Sequence, residues 1–363
     1  SSSLHRRKRL LMTPCENHLR TRLKTDQWLS IAEFMKTALH DPHYGYYSQQ
    51  HVIGSQNDFI TAPEVSQFFG ESLGFWLLNI WEKLGRPSPF ILLELGPGRG
   101  TLLADLLRLT SQRPDFIQGI YLYLVDINPH LKAHQEKQLS AYSPQWFEAL
   151  SSALKAAQGL PLFVIANEFL DVFPIHQYMR TSTGWHERGI AIDTTESLTY
   201  SLTKNPPEIN PSFFPSEAKE GDIFETCPEA EQVVREISQY LTQHQGGALF
   251  IDYGYKEGTG DTFQALYQHH YLSPLEHLGE ADLTAHVHFG ALLNLLDHFP
   301  SLHKNLSSQG DFLKVCGIEP WAHKVMQKAS PQQCEIINHA LHRLLSPHQM
   351  GTLFKVLEVY SAC

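Results

Sequence analysis

Three glycines at alternate positions, Gly96, Gly98 and Gly100, follow the apolar run FILLEL and lead directly into TLLADLLRLT. That order reads as a buried strand, a tight turn and a helix start. Glycine allows the sharp turn and lets backbone approach a ligand closely, while the helix N-terminus offers free N–H groups. The spacing is G-x-G-x-G, not the G-x-G-x-x-G that seats a pyrophosphate. Glu94 stands two residues before the loop. A carboxylate there repels a pyrophosphate and attracts an ammonium. The pattern therefore favours the amino-acid end of S-adenosyl-L-methionine over a nicotinamide dinucleotide. No G-x-x-x-x-G-K-[ST] string occurs, which excludes a P-loop. The next strand ends at Asp126, 26 residues beyond Gly100, where an acid can accept hydrogen bonds from ribose hydroxyls. We count Ile127 with it. An ordinary strand–turn–helix, with Asp126 as a cap, is the competing reading. The glycines and the acid together favour a cofactor.

A third strand ends in Asn167, Glu168, Phe169, Leu170 and Asp171. Ligands bind beyond the carboxyl ends of strands in open parallel sheets. Glu168, Asp171 and Asn167 are therefore catalytic candidates. Taken alone, they serve equally well as a helix cap and a turn.

These residues need a framework, and the sequence supplies one. Apolar runs at 89–96, 120–129, 161–171 and 246–255 alternate with helical patterns, with a weaker strand in PQWFEAL. That order predicts an α/β fold: a mostly parallel sheet with helices on both faces. Before it, residues 26–88 form a helical cap, with helices over 26–40 and about 64–84. Residues 172–245 interrupt the alternation with a β-rich insertion followed by a helix. Residues 246–363 complete the core begun at 89–171. They read as mainly helical over 280–345, then close on a strand at 351–361.

The net charge of −10 argues against a nucleic-acid binder, whose phosphate contacts require a basic surface. Apolar residues make up 42% of the chain, enough for a large core, and no run of about 18 predicts a membrane span. Five cysteines without a C-x-x-C pair read as reduced thiols with no zinc site. His286 and His288 lack further metal ligands, so no metal is expected. Residues 1–25 are basic and read as a disordered tail, with Met12 as a natural start. A transit peptide is the alternative.

Eight strings occur together in one order: HYGYY (43–47), NDFITAPEVSQFFGE (57–71), LLELGPGRGTLLADLLR (92–108), ANEFLDVFPIHQY (166–178), ALFIDYGY (248–255), DTFQALYQH (261–269), GEADLTAHVHFGAL (279–292) and QGDFLKVCGI (309–318). In them the chain resembles the MidA-like family, which includes the mitochondrial complex I assembly methyltransferase and its bacterial homologues. The resemblance implies a class I S-adenosyl-L-methionine-dependent methyltransferase of Rossmann-like fold. It also implies protein arginine methylation, with a complex I type subunit or another protein as partner. The compartment would be cytoplasm for a bacterial protein and mitochondrial matrix if the basic N-terminus is a transit peptide. Two departures stand out: Asn57–Asp58–Phe59 replaces the usual Gly-Asp-Phe, and the ribose acid is Asp126 where the family often has Glu.

On this reading Glu94, Gly96, Gly98 and Gly100 hold the cofactor's amino-acid end, and Asp126 with Ile127 its ribose. An arginine acceptor stays protonated, so a carboxylate must orient it. Glu168 is the first candidate, Asp171 the second, and Asn167 a positioning amide. Thr61, Glu64, Asp282 and Thr284 lie in strings outside a minimal methyltransferase core and are acceptor-wall candidates; helix capping is their plainer role. Tyr46 is a candidate on the same wall, although aromatics in a turn, as it and its neighbours Tyr44 and Tyr47 are, more often serve as packing residues. The competing function is a non-catalytic assembly factor that keeps the fold and the cofactor pocket.

Overall fold

The protein is described from a computed structural model covering residues 12–49, 61–126 and 128–362. The chain folds as two units. One comprises residues 60–170, 230–256 and 289–363; the other comprises 1–59, 171–229 and 257–288.

The first unit carries the sheet that the alternating pattern predicts. Its strands are β1 (Phe90–Leu95), β2 (Ile120–Val125), β3 (Gln145–Phe147), β4 (Leu162–Asn167), β5 (Gly246–Tyr255), β6 (Leu302–Ser308) and β7 (Phe354–Ser361). They lie in the order β6-β7-β5-β4-β1-β2-β3. The pairs β1–β2, β2–β3, β1–β4 and β4–β5 are parallel, while β7 runs antiparallel to both β5 and β6. β1 is buried along its whole length and β4 along all but its last residue, which is why both read as continuous apolar runs. The connections reverse direction between β1 and β4, so the crevice outside their carboxyl ends is the switch point of the fold. Helices α1 (Gln67–Lys83), α2 (Thr101–Thr110) and α3 (Lys132–Leu139) belong to the same unit. Trp81 on α1 and Phe116 pack on Phe90 of β1, with ring centroids 5.1 Å apart for Trp81–Phe116 and 4.9 Å for Phe90–Phe116.

The stretch 280–345 is less helical than its sequence suggests. It contains the strands Asp282–Thr284, Val287–His288 and β6. LHKNLSS shows no apolar alternation because it is an edge strand with a largely exposed surface. Its partner β7 defines it, through seven consecutive pairs from Leu302↔Ser361 to Ser308↔Lys355.

The second unit is built around an antiparallel sheet. Leu29–Ser30, Gly184–Ile192, His176–Thr181 and Ile223–Thr226 lie side by side, and Leu198–Leu202 pairs with Gly184–Ile192. A three-stranded sheet adds Gln264–Tyr267 between His270–Leu272 and Asp282–Thr284. Its N-terminal portion departs from the basic tail expected through residue 25: Pro14–Asp26 is a helix. The Thr13 side chain caps it by accepting from the Glu16 N–H at 3.1 Å. Cys15, Leu19 and Leu23, four residues apart, bury its only apolar stripe. Arg20 pairs with Glu16 at 3.3 Å and Lys24 is exposed; these charged residues, set between the apolar positions, mask the periodicity. The expected cap helix at 26–40 begins later, at Ile31, behind a Ser30 N-cap.

Candidate functional site

The glycine loop leaves β1 at the switch point. Gly96, Gly98 and Gly100 have φ of +64°, +57° and +85°, the left-handed conformation that only glycine adopts freely. Each does a separate job. A Cβ on Gly96 would lie 3.0 Å from the Phe169 ring, so that ring and the loop backbone meet directly. Among the described residues, a Cβ on Gly98 would meet nothing within 4 Å, so space is open on that side of the loop. Gly100 is the N-cap of α2 and has no side chain to satisfy the helix's first N–H groups, which leaves them for an incoming acceptor.

Glu94 is 2% exposed, and its Oε1 atom has no hydrogen-bond partner among the described residues. Burial pushes its carboxyl well above the ordinary carboxylate range, and the charge of Asp126 pushes it further. Burial raises Asp126 as well. That rise is opposed by the Asn128 N–H at 2.9 Å and by the Gln135 amide at 2.8 Å. The expected pair of acids therefore flanks the loop, one beneath it and one on the next strand. A buried carboxylate oxygen without a donor among the described residues, two residues before a glycine loop with open space beside Gly98, fits the ammonium and carboxylate of an amino acid. The donor set fits S-adenosyl-L-methionine. Ile127 lies outside the described residues, as do Asn57, Asp58 and Phe59.

The other candidates fall in both units. In the sheet unit, Glu64 accepts from the Thr101 hydroxyl at 2.8 Å, which ties it to the first residue of α2. Thr61 is the N-cap residue of Ala62–Val65 but makes no side-chain cap bond. Asn167 ends β4 next to the loop, since its neighbour Ala166 pairs with Leu95 of β1. Its Oδ1 atom is buried without a hydrogen-bond partner among the described residues. Glu168 has φ of +50°, a strained conformation for a residue with a Cβ, and its N–H donates to Ile251 at 2.8 Å. This strain cannot be read from ANEFLD.

In the antiparallel unit, Asp171 is buried and its carbonyl accepts from the Ala285 N–H at 3.4 Å. Tyr47 donates to Asp282 at 3.4 Å, and Thr284 accepts from Gln264 at 3.1 Å. The Tyr46 and Tyr47 rings sit 5.1 Å apart. Burial holds the Tyr47 hydroxyl protonated far above its usual range, and the charges of Asp282 and Asp171 add to the effect. The structure thus gathers Asp171, Tyr46 and Asp282 around Tyr47. Sequence reasoning missed Gln135 and Trp146 altogether. Gln135 is fully buried in KAHQEKQL, an otherwise polar helix in which nothing singles out one amide.

Residues 72–304 match a family described as "putative S-adenosyl-L-methionine-dependent methyltransferase". The chain is similar to the mitochondrial protein arginine methyltransferase NDUFAF7 homolog of Drosophila melanogaster, 33% identical over 94% of this chain and 84% of that one. It is similar also to protein arginine methyltransferase NDUFAF7 of Homo sapiens, 31% identical over 94% of this chain and 82% of that one. Among solved structures, a Burkholderia thailandensis protein bound to S-adenosyl-homocysteine superposes with a TM-score of 0.79 at 26% identity, covering 95% of this chain and 91% of that one.

Proposed function

The chain belongs to this family, as an S-adenosyl-L-methionine-dependent methyltransferase of the MidA-like group, and we propose that it methylates the guanidinium of an arginine in a partner protein. The observation that carries the site assignment is the buried Oε1 of Glu94, without a donor among the described residues, at the foot of a glycine loop with open space beside Gly98. The arginine assignment rests on the activity named for the relatives.

When bound, the cofactor supplies a methyl group already activated on sulfur, so the protein's task is to position the reactants. Glu94, Gly96, Gly98 and Gly100 hold the amino-acid end; Asp126 and Ile127 hold the ribose. The acceptor guanidinium carries a full charge at any working pH, so it needs a carboxylate to fix which nitrogen faces the methyl group. Glu168 has that role. Its strained backbone, anchored on Ile251, holds the carboxylate at the end of β4. Asn167 positions the acceptor beside it. Asp171 is the second candidate for the carboxylate. Thr61 and Glu64 in one unit, and Tyr46, Asp282 and Thr284 in the other, are candidates for contacts to the protein substrate.

A complex I type subunit is the first acceptor to assay, and a mitochondrial location agrees with the relatives' names. Among the described residues no helix is long and apolar enough to cross a membrane. The test is Glu168→Gln, with S-adenosyl-homocysteine binding and methyl transfer measured side by side. Transfer should fall at least about 100-fold with binding intact, within the range for lost transition-state positioning. Unchanged transfer would remove Glu168 from the mechanism. Wild-type binding with no transfer to any candidate protein would favour the assembly-factor reading.

A further inference from the structure

One buried amide touches both halves of the cofactor site. The Gln135 Nε2 donates to the Gly98 carbonyl at 2.8 Å and to the Asp126 Oδ2 at 2.8 Å. Gly98 belongs to the loop between β1 and α2, and Asp126 to the tip of β2. Gln135 itself sits on α3 and is fully buried. An amide –NH2 has two hydrogens, and this geometry uses both.

The remaining question is what keeps the amide from flipping. Rotated by half a turn, it would aim its oxygen at a carbonyl and a carboxylate, both of which only accept. The indole of Trp146 on β3 prevents this. Its Nε1–H donates to the Gln135 Oε1 at 2.8 Å, and an indole nitrogen can only donate. Trp146 is held in register by the pair Leu124↔Trp146, and Lys132 lies 4.7 Å over its ring. The order of bonding is therefore directed: Trp146 sets Gln135, and Gln135 sets both the loop carbonyl and the acid.

We infer that Gln135 is the positioning residue of the cofactor site, that it couples the glycine loop to the ribose-binding acid, and that Trp146 is the donor that fixes its orientation. This rests on the cofactor assignment above. Gln135 acts through Asp126 and Gly98 and is not itself placed against the cofactor. It also helps to keep Asp126 charged, since a donor to a carboxylate favours the ionised form. Burial acts most strongly on that carboxylate and opposes its charge, the Asn128 N–H acts in the same sense as Gln135, and the buried Glu94 of β1 is the titratable group whose own carboxyl Asp126 pushes upward.

The test is calorimetric binding of S-adenosyl-homocysteine to the full chain across pH 5.5–8.5, with ligand-free thermal unfolding alongside. The variants are Gln135→Met, Trp146→Phe, Asp126→Asn and the Gln135→Met/Asp126→Asn pair. Gln135→Met keeps the side chain's length and volume but donates nothing. It should weaken binding about tenfold or more, the scale of a lost hydrogen bond to a charged group. Trp146→Phe should weaken it in the same direction and by less. The double variant should lose less than the product of the two single losses, because Gln135 works partly through that acid and partly through Gly98. The acid-side fall in affinity should begin at a higher pH in Gln135→Met than in wild type, which a packing role would not produce. Losses that multiply in the double variant, or a Gln135→Met protein that binds like wild type with the same pH profile, would overturn the inference. If Gln135→Met does not fold, wild-type affinity in Trp146→Phe overturns it. Failure of the wild type itself to bind would instead refute the cofactor assignment, and this inference with it.

Discussion

Glu94→Gln separates what the buried acid does for the ligand from what it costs the fold. This carboxyl is 2% exposed, has one oxygen without a hydrogen-bond partner among the described residues, and faces the charge of Asp126. Its pKa is therefore raised above the ordinary carboxylate value. A raised acid pKa means that the folded state holds the proton more tightly than the unfolded one. The stabilising contribution is then complete below the unfolded pKa and falls as pH rises toward the folded one. Glutamine has no proton to lose, so the variant's ligand-free stability should lack that decline. At pH 8 it should equal or exceed wild type.

Binding should move the opposite way. A hydrogen bond to a charged group contributes about 1.5–3 kcal/mol, against about 0.5–1.5 for a neutral one, so the amide should weaken binding by roughly 1–2 kcal/mol, or about 5- to 30-fold. The arriving ammonium should also lower the carboxyl's pKa and release part of a proton. Calorimetry of S-adenosyl-homocysteine in buffers of different ionisation enthalpy reads affinity and proton release together. Wild type should release a fraction of a proton on binding, and Glu94→Gln much less. Undiminished affinity in the variant, or a loss of ligand-free stability at every pH, would refute the reasoning.

Two other perturbations report on separate parts of the molecule. Gly98→Val should abolish S-adenosyl-homocysteine binding at millimolar ligand while the protein still folds, since the new Cβ enters open space but the φ of +57° strains a β-branched residue by at least about 1–2 kcal/mol; normal binding in a titration would displace the loop from the site. In the antiparallel unit, Glu225 is buried, accepts from Gln177 and Thr262, and is pushed up to about 7 chiefly by burial. Wild-type stability should accordingly fall between about pH 4.5 and 7, by at most about 3 kcal/mol, and Glu225→Gln should flatten that slope in urea titrations. A slope unchanged in the variant would show that Glu225 is ionised at little cost in the fold.

The strand, glycine loop and helix at 90–110 were legible in the sequence because each depends on residues adjacent in the chain. Strand burial shows as a continuous apolar run, and left-handed turns demand glycine. The same locality made Glu94 and Asp126 visible, since each sits at a fixed offset from a strand end. The four parallel pairs of the sheet followed from the alternation of strands and helices. The eight strings added the family, the cofactor and the expected acceptor chemistry.

Tertiary structure decided what depends on partners distant in sequence. β6 is a strand because β7, about fifty residues later, supplies its hydrogen bonds. The N-terminal helix exists because one narrow stripe, Cys15, Leu19 and Leu23, finds a core to bury against, although its composition reads as a solvated basic tail. Glu168 acquires its left-handed backbone from an anchor on Ile251, 83 residues away. Gln135 takes its role from Gly98, Asp126 and Trp146, which lie on three other elements. A polar side chain's identity states how many hydrogen bonds it can make; only the packed chain determines which groups it meets.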